Sequence, residues 1–184
     1  MNKLIQTTAL MACLTVLTGC ETTNSIPYKA STTNIIAIQR SLKPKNEKVS
    51  VGTISMAPGL SENLMCRLNG PVKVAPGKTL PQYIKDAMTE ELFDAQAYDV
   101  NAPAAIDGEI EKISFSSVSP AFWDITMSVK TAASPGYTVS VHYQFDTSWS
   151  AYSACKNVAD AFGPAVQELL HQVVTNPGFA DLAK

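Results

Sequence analysis

Residues 137–145 alternate without a break. Tyr137, Val139, Val141, Tyr143 and Phe145 are apolar, Thr138, Ser140, His142 and Gln144 between them are polar, and the same parity reaches Trp149. Successive side chains of a strand point to opposite faces, so the pattern puts one face in a core and the other in water. A sheet with one open face belongs to an antiparallel meander whose other face is closed by helices. The rest of the chain has to supply those helices and the remaining strands.

Two further strands precede this one. Residues 105–117 alternate through Ile106, Gly108 and Ile110, then change phase to Ile113 and Phe115. One inserted residue re-aims a pleat, so the slip predicts a bulge near Glu111 and Lys112. Trp123, Ile125, Met127 and Val129 carry the next strand, and Ser134-Pro135-Gly136 turns the chain into the third. Earlier, Val49, Val51 and Thr53 alternate with Lys48, Ser50 and Gly52 as a first strand.

Helical spacing appears twice. Leu80, Ile84, Ala87, Met88, Leu92 and Ala95 recur every three or four residues behind Thr79, which can cap, and Pro81, which a first turn tolerates. Lys85, Asp86, Glu90 and Glu91 are read as lying away from that stripe, and the helix is expected to end near Ala97. Residues 154–174 repeat the pattern with Val158, Phe162, Val166, Leu169, Leu170 and Val173, interrupted by Gly163-Pro164, where a kink or a break is expected. The order β-α-β-β-β-α predicts an α+β two-layer sandwich, with an antiparallel four-stranded sheet and two helices on one face.

The start of the chain is not part of that domain. Lys3 precedes a short, mostly apolar stretch, residues 4–17, the layout of an export signal and too short to span a bilayer. It closes on Leu17-Thr18-Gly19-Cys20, which resembles the lipobox of bacterial lipoproteins; the alternative is a plain secretory signal with an incidental cysteine. The resemblance implies cleavage before Cys20, acylation of its thiol and new amine, and stable attachment through several acyl chains. Glu21 stands where an aspartate tends to retain such proteins at the inner membrane, which favours the outer membrane. Residues 1–19 are then the signal peptide, 20–47 the lipidated cysteine and a flexible tether, and 48–184 the periplasmic domain. In the tether, residues 21–34 are rich in Thr, Ser and Asn, and Ile35, Ile36 and Ile38 form a short strand or pack on the domain edge.

Four cysteines occur. Cys13 leaves with the signal and Cys20 is taken by lipid, so Cys66 and Cys155 remain as a pair in an oxidising compartment, where a disulfide is expected. Cys66 lies in the Gly- and Pro-rich connection of residues 57–78, which such a bond would pin. The pair offers too few ligands for a metal, and His142 and His171 show no ligand spacing with it.

Charge excludes other classes. Fourteen Lys and Arg face sixteen Asp and Glu, a net charge of −2, so no basic field attracts nucleic acid. Arg40, Lys43, Lys45 and Lys48, with Glu47 among them, read as a solvated linker. No catalytic motif is present. His142, Gln144 and Asp146 share one side of a strand, and Glu109 and Glu111 another, but an open polar face produces both arrangements without any chemistry. His171 late in a helix suits the dipole. Trp123 and Trp149 fall on the apolar parity: they either pack in the core or rim a candidate binding groove for an acyl chain or a partner's apolar residue.

The helix of residues 83–95 with the following Tyr98-Asp99-Val100, the three-strand meander, and the terminal helix of residues 157–174 followed by Pro177-Gly178-Phe179 resemble the YajG-type family of uncharacterised envelope lipoproteins. The Cys66–Cys155 pair and the longer loop before Thr79 depart from it. A similar scaffold occurs in the small lipopolysaccharide-assembly lipoprotein that plugs an outer-membrane barrel, a likeness of fold only. The expectation is a non-enzymatic lipoprotein without cofactor or metal, anchored in the outer membrane and facing the periplasm. It would serve as an interaction module in outer-membrane assembly or maintenance, with an envelope protein as partner. The alternative is a lipid- or glycolipid-binding lipoprotein that uses a groove between helices and sheet.

Overall fold

In the computed structural model, which describes residues 22–23 and 26–184, the alternating segment is an edge strand of a four-stranded sheet. The elements in chain order are β1 (Thr22–Thr23), α1 (Thr32–Leu42), β2 (Ser50–Met56), β3 (Val72–Lys73), α2 (Leu80–Asp94), β4 (Ala105–Ser116), β5 (Ala121–Lys130), β6 (Tyr137–Phe145) and α3 (Ala151–Val174). Short 3-10 turns, Lys43–Lys45 and Phe179–Ala183, follow α1 and α3. The sheet order is β2-β4-β5-β6, and β1 pairs with β3 apart from it. Residues 1–19 and Cys20 lie outside the described residues.

The domain is mixed α and β, but the sheet is not purely antiparallel: β2 pairs with β4 in parallel, while β4–β5 and β5–β6 are antiparallel. A strand that returns through a helix lying over the sheet comes back to its starting end, so the next strand runs alongside in the same sense. α2 is that returning helix and packs on β2. The phase slip in β4 is real. Ile110 pairs with Met127 and Lys112 with Thr126, leaving Glu111 as the extra residue. Beyond it Ile113 turns inward again, 6% exposed.

A third helix replaces the expected tether. Residues 32–42 form α1, and Asn34, Ile38 and Leu42, one turn apart, are its buried residues. Of the three isoleucines only Ile38 is buried and Ile36 is exposed, so the helical stripe is completed by Asn34 and Leu42. α1 packs on α2 and α3 rather than on the sheet, adding a layer to the two expected. Ordered packing therefore reaches back well before residue 48. Tyr28 already contacts the core, and Thr22–Thr23 pairs with Val72–Lys73.

α2 starts as expected. Thr79 accepts a hydrogen bond from the Gln82 amide, and the Gln82 side chain accepts one from the Thr79 amide, a reciprocal capping box. α3 runs unbroken through Gly163-Pro164, with Pro164 on its exposed side. The neighbouring Gly163 is buried because α2 comes close: a Cβ there would stand 3.0 Å from the Tyr83 hydroxyl. Between helices and sheet, Trp123, Phe162, Ile125, Met127 and Leu169 are fully buried. Trp123 stacks edge-on against Phe162 at 5.0 Å and its indole donates to the Val158 carbonyl at 2.9 Å.

The turn into β6 depends on one glycine. Gly136 has φ +74°, and a Cβ there would lie 1.6 Å from the Val129 carbonyl oxygen, which is backbone and cannot swing aside. Gly136→Ala is expected to destabilise the domain by about 3 kcal/mol, combining left-handed strain with displacement of β5. A urea midpoint for that variant equal to wild type would contradict this geometry.

Candidate functional site

The parallel pairing of β2 with β4 has a consequence for where loops collect. The C-terminal ends of β2, β4 and β6 all lie at one end of the sheet, so the loop of residues 57–79, the β4–β5 turn and the β6–α3 connection meet there. Cys66 in the first of these is bonded to Cys155 in α3, with Cα atoms 5.8 Å apart, as the cysteine count predicted. Both cysteines are fully buried. Cys66 is further held by hydrogen bonds within its own loop: its amide donates to the Gly70 carbonyl and its carbonyl accepts from the Asn69 amide, both at 3.0 Å.

Arg67 ties the three loops together. Its guanidinium donates to the Ser117 carbonyl at 2.6 Å and hydroxyl at 3.1 Å, and to the Ser148 and Trp149 carbonyls at 3.4 Å. The residue sits in the left-handed region at φ +50°, a strain that these bonds offset. Around this junction stand large apolar side chains with little cover. Leu68 and Trp149 are each 103% exposed, Tyr152 65%, Met65 62% and Val118 60%. A shallow cleft beside them is lined by Arg67, Val118, Ser119, Thr147, Ser148 and Trp149.

The two tryptophans therefore part company. Trp123 fills the helix–sheet interface, and Trp149 stands free in the connection after β6, beyond the last paired residue, Phe145. Parity holds only while the strand lasts, and β6 ends four residues before Trp149. Leu68, Val118 and Met65 lie in loops, which carry no period, and Tyr152 in the first turn of α3; their gathering comes from the disulfide and from Arg67.

The open face of the sheet carries a second arrangement. Asp124 on β5 lies directly across from His142 on β6, and their side chains meet at 2.6 Å. Lys112 on β4 donates to the other Asp124 oxygen at 3.1 Å. Partial burial pushes the Asp124 carboxyl up, but the hydrogen bonds from His142 and Lys112 outweigh it and hold it below the usual carboxylate range. Gln144 is 3.4 Å from His142, whereas Asp146 is elsewhere, its carbonyl accepting from Asn157. No nucleophile completes this pair among the contacts of His142, which are Asp124, Gln144 and the Phe122 ring. Among the described residues no group of three or more His, Cys, Asp or Glu could hold a metal, and no helix is long and apolar enough to cross a membrane.

A third cluster is buried. Glu91, read from the sequence as solvent-facing, is 1% exposed. It is seven residues after Ile84 and three after Met88, hence on the same helical face, and α1 covers it. One oxygen accepts from Tyr28 Oη at 2.7 Å, Asn34 Nδ2 at 2.9 Å and the Ser31 amide at 3.3 Å. The other is buried without a hydrogen-bond partner among the described residues. Burial pushes the Glu91 carboxyl up, against hydrogen bonds from Tyr28, Asn34 and Ser31 that pull it down, and burial prevails. Asn34 extends the cluster to His171 Nδ1 at 2.9 Å.

No family model and no curated protein matches the chain. Among solved structures it is similar to a Xanthomonas campestris protein described by the family model DUF330, with a TM-score of 0.45 and 12% identity over 70% of this chain and 84% of that one. It is also similar to an uncharacterised protein with a TM-score of 0.40 and 8% identity over 70% of this chain and 92% of the other.

Proposed function

We propose that the protein is a lipid-anchored domain of the bacterial envelope, attached to the outer membrane through Cys20, which works by binding rather than by catalysis. This is the reading to which the lipobox and the YajG-type resemblance point: an accessory module in outer-membrane assembly or maintenance. The observation that carries the binding role is the set of apolar side chains left uncovered around Arg67. Scattered exposed apolar residues need no explanation, but among the described residues five of the nine large exposed ones gather at one end. The disulfide at the same end fits an oxidising compartment.

Two experiments test the parts separately. Cys20→Ala is expected to leave the chain uncut and without label from radioactive palmitate, because the acceptor thiol is gone; continued labelling would remove the anchor. A photoreactive side chain placed at Leu68 is expected to form adducts with another envelope component in cells, and one at Phe93, exposed elsewhere, is not. Equal adducts from both positions, or none from either, would refute this end as the binding surface.

A further inference from the structure

The chain shortly after Cys20 pairs with the loop that carries the exposed end, and that says what covers it. Cys20 precedes Thr22 by two residues, which an extended chain spans in about 7 Å. Thr22 pairs with Val72 and Thr23 with Lys73. Pro71, immediately before β3, bridges to Met65, and the Val72 amide donates to the Leu64 carbonyl at 2.9 Å. The chain thus enters the fold on the segment that carries Met65, Cys66, Arg67 and Leu68. An acyl group on Cys20 would be held within a few residues of them, rather than at the end of a long tether.

We infer that this end of the domain lies in the membrane interface, with Leu68, Trp149, Val118, Tyr152 and Met65 entering the headgroup–acyl boundary of the bilayer that holds the anchor. The inference rests on the lipoprotein reading above and names the partner of its binding surface. The form of the surface favours lipid over protein. Leu68 and Trp149 are as exposed as in a free peptide, so they project from separate loops, and the cleft beside Arg67 that Trp149 and Val118 line is too shallow to enclose them. Projecting tips suit a fluid phase that closes around them. Trp and Tyr combine an apolar ring with a polar group, which matches the headgroup level. The polar groups near them are already satisfied: the Arg67 guanidinium is spent on Ser117, Ser148 and Trp149 carbonyls, and the Thr147 hydroxyl donates to the Ser117 carbonyl. These hydrogen bonds reduce the desolvation cost of entry. With the anchor and these side chains acting together, the domain would be fixed in orientation.

The chain has two tryptophans, and Trp123 is fully buried, so Trp149 reports on this end alone. The mature protein, purified from membranes and shown by mass to carry its acyl groups, is reconstituted into phosphatidylethanolamine–phosphatidylglycerol vesicles with and without brominated acyl chains. The expected result is a blue shift of the Trp149 emission and loss of most of it to bromine, with no quenching in Trp149→Phe, where only Trp123 remains. Leu68→Ser combined with Val118→Ser, both surface changes, should reduce the quenching while leaving circular dichroism unchanged. Acylated protein whose Trp149 stays unquenched and water-like overturns the inference and leaves the lipoprotein reading intact. Shielding of Trp149 in native membranes but not in pure lipid assigns the surface to a protein and likewise overturns it. A mature chain without acyl groups removes the anchor reading, and the inference with it.

Discussion

Replacement of Cys66 and Cys155 by alanine is expected to lower the stability of the domain by about 4 kcal/mol. The bond closes a loop of 89 residues in the unfolded chain, and loop-closure entropy at that length gives about 4–5 kcal/mol before any native strain is subtracted. Against a typical net stability of roughly 5–15 kcal/mol, this is a large share of the whole. With a urea m-value of about 2 kcal/mol/M, the unfolding midpoint should fall by roughly 2 M. The loss should also be local. Cys66 and Arg67 are neighbours, so without the bond the contacts from Arg67 to Ser117 and Ser148 lose one of their two supports, and amides of the 57–79 loop should exchange hydrogen faster than those of β5. Non-reducing gels of protein taken from the periplasm should show faster mobility than reduced samples. Free alkylation of both thiols in that protein, or an unchanged urea midpoint in the double variant, would refute the staple.

What the sequence made legible is what periodicity can carry. Trp123, Ile125, Met127 and Val129 all point inward as their alternation required, and the phase slip between Ile110 and Ile113 predicted the bulge near Glu111 and Lys112 that the sheet shows at Glu111. Thr79 capped where a threonine before Leu80 and Pro81 should. The failures share a cause. Side-chain parity says which face a residue occupies but not the direction of the neighbouring strand, so the parallel β2–β4 pair was missed. A helix that packs on other helices needs only a narrow stripe, and Asn34, Ile38 and Leu42 make one in which a polar residue opens the pattern. Glu91 was placed in water because it is charged, although its spacing from Ile84 and Met88 put it on the buried face. Of the apolar end only Trp149 was legible, as a candidate groove residue; the rest comes from loops and the first turn of α3, which only the disulfide and Arg67 bring together.

Glu91 is the residue whose loss should cost nearly as much as the disulfide, and in a way that depends on pH. Glu91→Ala removes the acceptor shared by the Tyr28 hydroxyl, the Asn34 amide and the Ser31 backbone, which hold the entry to α1 against α2. Leaving such donors buried and unpaired costs roughly 1–3 kcal/mol each, partly recovered where water enters, so a loss of about 3–4 kcal/mol is expected. Glu91→Gln behaves differently. The amide oxygen can accept the same hydrogen bonds, while the charge disappears. Burial raises the Glu91 carboxyl above its ordinary value, so the folded state binds the proton more tightly than the unfolded chain does. The stability this contributes is complete below the ordinary glutamate range and is lost as pH rises through the raised folded value. Wild type should therefore lose stability relative to Glu91→Gln as pH rises from about 4.5, the two curves converging on the acid side. Comparing the pair cancels the opposing effect of Asp124 and Asp181, whose lowered carboxyls lose stability as pH falls. Urea midpoints of wild type, Glu91→Ala and Glu91→Gln, taken at half-unit steps of pH, decide the matter. A wild-type minus Glu91→Gln difference that stays flat across that window would mean that the carboxylate is ionised at no cost in the folded protein. The hydrogen bonds from Tyr28, Asn34 and Ser31 would then offset the whole cost of burying its charge.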